Sequence, residues 1–250
     1  MSARPAGGGR YPASPFHVRR VLAPSGQYSR QPQDRRAPTL PHARSRDPLR
    51  AGIAVYNDGY YHAAHDAWED HWLELESGTD DERLLHGLIQ TSGAVHHARN
   101  RNWEGAVGLA ESAGDYLAPL PSTYRGLEVG PIRRFLASLS ADPEIAERRP
   151  PVRLEYESGV PTLDSLGVTE TGIAAVVLAE ELGFDEKPVE RARTYARRDL
   201  EAGADDSLFI ALLFDFVRED EHRGLVYRRL SEHVSKRRSR EEDVKGLFSE

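Results

Sequence analysis

From about residue 47 onward, apolar positions recur at helical intervals. Leu49, Ile53 and Tyr56 share one face of a 3.6-residue period. Asp47-Pro48, a capping residue followed by proline, reads as the start of this first helix, and Asp58-Gly59 as its stop. A second helix is predicted from about Tyr60 to Glu76, ending at Gly78, with Tyr61, His65, Trp68, Trp72 and Leu75 on its buried face. Thr79-Asp80-Asp81-Glu82 has the form of a capping box and opens a third helix to about Asn100. Asn102 caps a fourth, Trp103 to Ala118, which Pro119 terminates. Gly130-Pro131 begins a short fifth helix through Phe135 and Leu139.

Between Asp142 and Val168 prolines interrupt the chain and no period survives, which predicts a linker. Helical spacing then returns over Thr169–Leu182, Glu186–Ala202 and Ser207–Arg218, and in a last helix holding Leu225, Val226, Leu230 and Val234. No stretch alternates with period two, so no strand is expected. The predicted class is all-α. An antiparallel helical bundle occupies 47–141, the linker 142–168, a C-terminal helical extension 169–236, and a charged tail 237–250.

Charge changes the picture at the N-terminus. Residues 1–46 carry nine arginines and one acid, Asp34, within a Pro-, Gly- and Ser-rich stretch. That composition predicts a disordered arm, read either as a flexible tail or as an upstream extension from a misplaced start. With the arm at +8 and the whole chain at −7, the remainder stands at −15. Its acids are dispersed, which disfavours nucleic acid and anionic lipid as partners. Such a balance suits the salt-rich cytosol of a halophile, and equally an acidic protein from a GC-rich genome. The absence of cysteine excludes disulfides, thiolate metal sites and cysteine nucleophiles. The longest uncharged stretch, Leu84 to Ala98, falls short of the roughly 20 apolar residues that cross a bilayer. No signal pattern opens the chain, and a cytoplasmic location is the resulting expectation.

The candidate chemistry lies in the helical hairpin. His62, His65 and Glu69 form a polar stripe beside Trp68 and Trp72. On the third helix, Leu84, Leu88 and Val95 share one face, and His86, Gln90 and His97 share the other. Two helices joined by a short turn would let His65, Glu69, Gln90 and His97 converge. No phosphate-binding loop, dinucleotide fingerprint or nucleophile elbow is present.

Several segments in order carry a family resemblance. Tyr56-Asn57-Asp58-Gly59-Tyr60-Tyr61 leads into His65-Asp66-Ala67-Trp68-Glu69-Asp70-His71-Trp72, followed by Gly87-Leu88-Ile89-Gln90, His97, and Asn102 to Ala106. Together these resemble the helical family catalogued as domain of unknown function 309, over about residues 50–127. The resemblance implies a small helical bundle and brings no established activity. It places His65, Glu69, Trp72, Gln90, His97 and Asn102 at signature positions. Three residues depart from the pattern: Ala63 and Asp66 each stand where glutamate is usual, and Arg101 where glycine is.

Two functional classes follow. In the first, His65 and Glu69, at i and i+4, bind a divalent metal ion with His97 from the next helix. An activated water would make this a metal-dependent hydrolase with Asp66 as candidate base, and Trp68, Trp72, Gln90 and Asn102 in support. In the second, the module is a non-catalytic, tetratricopeptide-like scaffold for a peptide or a homodimer. Gly105, Ala106, Ala110, Ala113 and Gly114 would allow close helix approach, and the His/Glu cluster would be a buried structural network.

Overall fold

The structure, a computed structural model, describes residues 42–247. The arm expected over 1–46 lies almost wholly outside them. Ten α-helices account for most of the described chain: α1 His42–Asn57, α2 Tyr61–Leu73, α3 Asp80–Arg99, α4 Trp103–Leu117, α5 Val129–Ala141, α6 Ile145–Arg148, α7 Val168–Glu181, α8 Glu186–Glu201, α9 Leu208–Arg218 and α10 Arg223–Leu247. The class is all-α, as the spacing predicts.

The caps behave as their residue types dictate. Thr79 Oγ1 accepts from the Glu82 backbone N–H at 3.2 Å and Asn102 Oδ1 from Gly105 N–H at 3.1 Å. Each satisfies one of the amides that the first helical turn leaves without an internal partner. Glu82 does not close the expected box back onto Thr79. Its carboxylate takes the Gly78 N–H instead, at 3.3 Å, and is then available to the hairpin interior.

Three features differ from expectation. First, α1 is already helical at His42, with Pro48 inside it. Proline removes one i to i−4 bond there, and the turn before it is tied down by Arg46, whose guanidinium meets Glu157 at 2.6 Å. Second, a small β-hairpin joins α4 to α5: β1 Thr123–Tyr124 pairs antiparallel with β2 Leu127–Glu128. Its two-residue loop, Arg125-Gly126, has positive φ at both positions (50° and 84°), as a tight primed turn requires. Two-residue strands are too short to show alternation, so spacing could not reveal them. Tyr124 and Arg125 fasten the hairpin to α3, the hydroxyl donating to Asp81 at 2.8 Å and the guanidinium gripping the same carboxylate at 2.7 and 2.6 Å. Third, α10 runs on to Leu247 through the charged segment. Arg237 stacks over Tyr195 at 4.3 Å and pairs with Asp199 at 2.8 Å, while Arg238 faces Glu242 one turn on.

Consecutive helices pack pairwise from α1 to α5, and α7 lies against α1 and α2 as well as α8 and α9. One continuous apolar core runs through both groups. Arg50 clamps α1 to the start of α7, with both Glu170 oxygens at 2.9 Å and the Ser165 carbonyl at 2.8 Å. Residues 149–162 lie against the end of α1. The Asn57 amide donates to the carbonyls of Leu154 and Pro161 and accepts from Leu154 N–H, all at 2.8–3.0 Å. Leu154 is fully buried as a result. Among the described residues no helix is long and apolar enough to cross a membrane.

The small residues of α4 serve the interior. Ala106, Ala110 and Ala113 are buried, and Gly87 on α3 gives room to Leu117, whose side chain comes within 2.5 Å of where a Cβ would stand. A β-carbon at Gly105 would meet Asn102 and His97.

Candidate functional site

The buried face of α2 comprises Ala63, Ala64, Ala67, Trp68 and His71. Tyr61, His65 and Trp72, expected there, sit at its edges and are half-buried. Alanines set this rotation because they let helices approach closely. The Trp68 indole lies directly over Gly52 of α1 and donates to the Leu49 carbonyl at 3.3 Å. Trp68 is therefore core and fully buried.

This rotation divides the expected polar constellation into separate groups. One is a network on α2 and α3 with Tyr116 of α4 packed against it, in which Gln90 Oε1 is buried without a hydrogen-bond partner. Trp72 Nε1 donates to Glu82 at 3.1 Å, His86 Nδ1 approaches the same oxygen at 3.3 Å, and the Gln90 amide meets His86 Nε2 at 3.1 Å. A neutral His86 with its proton on Nδ1 satisfies both contacts, donating to Glu82 and accepting from Gln90. The imidazole is sandwiched between Trp72 and Tyr116, with centroids 4.6 and 3.9 Å away. Burial holds its pKa below the ordinary histidine value despite Glu82. Burial also pushes the Glu82 carboxyl up, but hydrogen bonds from Trp72, Gly78 and His86 outweigh it and leave it lowered. Gln90 and Trp72 belong to this network. Glu82, which organises it, reads in the sequence only as a capping residue.

His97 has Nδ1 2.8 Å from the Asn102 amide at the α3–α4 corner, and its ring lies 6.1 Å from that of His96. Both signature residues thus shape a helix connection.

The second group contains the remaining sequence-predicted residues. His65, Asp66 and Glu69 each present a ligand atom, and these atoms lie within 4.8 Å of one another. Asp66 is the centre. One of its oxygens is 2.8 Å from His65 Nδ1 and the other 3.2 Å from His62 Nδ1. His62 in turn lies 3.6 Å from Glu181 at the end of α7, and its ring is 5.8 Å from that of His96 on α3. The structure therefore groups His65, Asp66 and Glu69 on α2 and sets His62 between Asp66, Glu181 and the His96 ring.

Electrostatics follow from this crowding. Burial raises the Asp66 carboxyl, yet hydrogen bonds from His62 and His65 outweigh it and draw it down to about 2. His62 is raised, chiefly by its bond to Asp66 and further by Glu181 and Glu180. Burial raises Glu181 and Glu180, and the negative charge of Asp66 adds to both. His96 is lowered by burial and by neighbouring His62 and His97. The patch thus gathers carboxylates that repel one another around imidazoles, on three helices. Recesses of about 470 and 300 Å³ are lined by other residues, the first between α7 and α8 around Arg193, the second around His71, Leu84 and Arg125.

The hairpin and its flanks are similar to a known sequence family. Residues 49–109 match the family model Domain of unknown function (DUF309). This DUF309 segment runs from α1 into the middle of α4, so it contains α2, α3 and all of His62, His65, Asp66, Glu69 and His96. An uncharacterized protein of Aquifex aeolicus (strain VF5) is 25% identical over 114 residues, 46% of this chain and 33% of that protein. The chain thus spans about a third of that relative's length. Glu181 lies beyond the DUF309 match.

Proposed function

We propose that the chain is a divalent-metal-binding helical protein, with His65, Asp66 and Glu69 as ligands. The observation that supports this reading is the convergence of an imidazole and two carboxylates within 4.8 Å on one stretch of α2. Atoms bound to one ion at about 2.0–2.2 Å lie no more than roughly 4.4 Å apart. Binding an ion would draw the three side chains together from this separation. A mixed imidazole and carboxylate set suits borderline first-row ions such as Mn²⁺, Fe²⁺ or Zn²⁺.

The reading stops at binding. Asp66 was the residue expected to act as base, but a carboxylate held at about 2 is a weak proton acceptor. It serves better as a ligand, since it is ionised at neutral pH and needs no deprotonation. Titration of chelator-stripped protein with Zn²⁺ and Mn²⁺, followed by calorimetry, tests the reading. Binding should be saturable in the wild type and at least tenfold weaker in His65→Ala and Glu69→Gln. Absence of saturable binding, or identical isotherms in the variants, rules it out.

A further inference from the structure

On the far side of α2 from Glu69, the smaller recess holds a buried imidazole. His71 lies two positions beyond Glu69, about 200° round the helix. It is only 9% exposed and lines a recess of about 300 Å³ between α1, α2 and α3. Among the described residues its ring takes part in no hydrogen bond or ion pair, yet neither nitrogen is sealed from solvent as Tyr56 Oη and Thr171 Oγ1 are. A buried polar group costs free energy unless something bonds to it. The walls beside it are apolar, formed by Leu49, Leu75, Leu84 and Leu85. Two guanidinium groups also line the recess, and each is already matched. Arg125 grips both Asp81 oxygens at 2.7 and 2.6 Å, and Arg46 meets Glu157 at 2.6 Å.

We propose that this recess binds a small uncharged amphiphile, an apolar body bearing one hydroxyl that hydrogen-bonds to the His71 imidazole. Its size lies at the lower end of small-molecule sites, roughly 300–1,000 Å³, which suits a single ring with a short chain. The leucine walls take the apolar body. The ring offers a donor and, when neutral, an acceptor as well, and a hydroxyl answers either. Charge decides against an acid. The two ion pairs leave the lining with no excess of either sign, so a carboxylate would give up its hydration with no unmatched cation to receive it. The site is independent of the metal reading, because none of its residues belongs to that ligand set.

Three related probes test the proposal. Full-length protein in EDTA is titrated with para-propylphenol, propylbenzene and para-propylbenzoate, and binding is followed by nuclear magnetic resonance of the amides and imidazoles. Para-propylphenol should bind saturably, with the shifts concentrated at His71, Leu84 and Leu85. His71→Phe keeps an aromatic ring and removes the nitrogens. It should weaken para-propylphenol about tenfold while changing propylbenzene by less than about twofold. Para-propylbenzoate should bind more weakly than the phenol. Leu75→Trp, at a half-buried position on the wall, should fill the recess and abolish binding of all three. Far-ultraviolet circular dichroism verifies that each variant is folded. Absence of saturable shifts, equal para-propylphenol affinity in His71→Phe and wild type, tighter binding of the benzoate, or unchanged binding in Leu75→Trp overturns the proposal. EDTA keeps every outcome separate from the metal reading.

Discussion

Replacing Asp66 by asparagine keeps the shape of the side chain and removes its charge, which isolates the ion pairs from the packing. In the metal-stripped protein the folded carboxyl lies at about 2 against an ordinary 3.8. At 1.36 kcal/mol per pH unit, the difference corresponds to about 2 kcal/mol of native-state stabilisation. The side chain is only 22% exposed, so solvent screening leaves most of this in place. The sign follows from the two partners. Asp66 is depressed, so its contribution is present above 3.8 and is lost as pH falls through about 2. His62 is raised, so the same pairing is complete below its ordinary 6.5 and is lost as pH rises through its elevated folded value. The stabilisation should therefore be greatest between about pH 4 and 6.5. For a domain of this size 1 kcal/mol moves the melting temperature by about 2–4 °C. Asp66→Asn should then melt about 4–8 °C below wild type at pH 5.5 in EDTA, and the gap should narrow markedly at pH 9. A deficit of equal size at both pH values would refute the reasoning, because it would locate the loss in packing rather than in the histidine pairs.

Glu82→Ala should cost about 1–3 kcal/mol, the penalty for leaving the Trp72 N–H and the Gly78 amide without their acceptor. Chemical denaturation gives the value, and Glu82→Gln, which retains an acceptor, should recover part of it. Gly52→Ala should destabilise by about 3 kcal/mol, since the new methyl would stand 2.1 Å from Trp68 Nε1. Gly108→Ala, on the exposed side of α4 with nothing within 4 Å, should instead stabilise by about 0.5–1 kcal/mol. Equal effects at the two glycines in thermal melts would contradict the close approach of α1 to α2.

The helices were legible because their ends are written in short-range chemistry. Thr79, Asn102 and Ser207 each accept a hydrogen bond from their own first turn, and Gly59, Gly183 and Gly203 take the positive φ that stops a helix. The site was legible only in part because its partners depend on helix rotation. Adjacent residues on a helix point about 100° apart, so choosing between His96 and His97 requires the phase of α3 against α2. That phase is set by Ala63, Ala64 and Ala67, small residues that carry less hydrophobic signal than Tyr61 or Trp72 although they lie deeper. Glu82 was hidden for a different reason. A glutamate three residues after a threonine has a sufficient local role, and nothing nearby in sequence shows that Trp72 and His86 need its oxygens. Glu181 has no local signal at all, since its neighbour His62 lies on a helix far earlier in the chain.

Position 63 ties these observations together. The family resemblance places a glutamate there, and this chain has alanine, fully buried. A carboxylate at that depth would need a charged or hydrogen-bonding partner to offset its desolvation. Alanine removes that requirement and lets α2 seat closely in the core. Further acidic groups reach the patch from the end of α7, where Glu181 is half-buried and Glu180 exposed, near His62 and Asp66. The metal-binding reading takes its ligands from His65, Asp66 and Glu69, and so does not depend on a carboxylate at position 63. Restoring glutamate at 63 should therefore disturb this packing and lower the melting temperature, with or without metal.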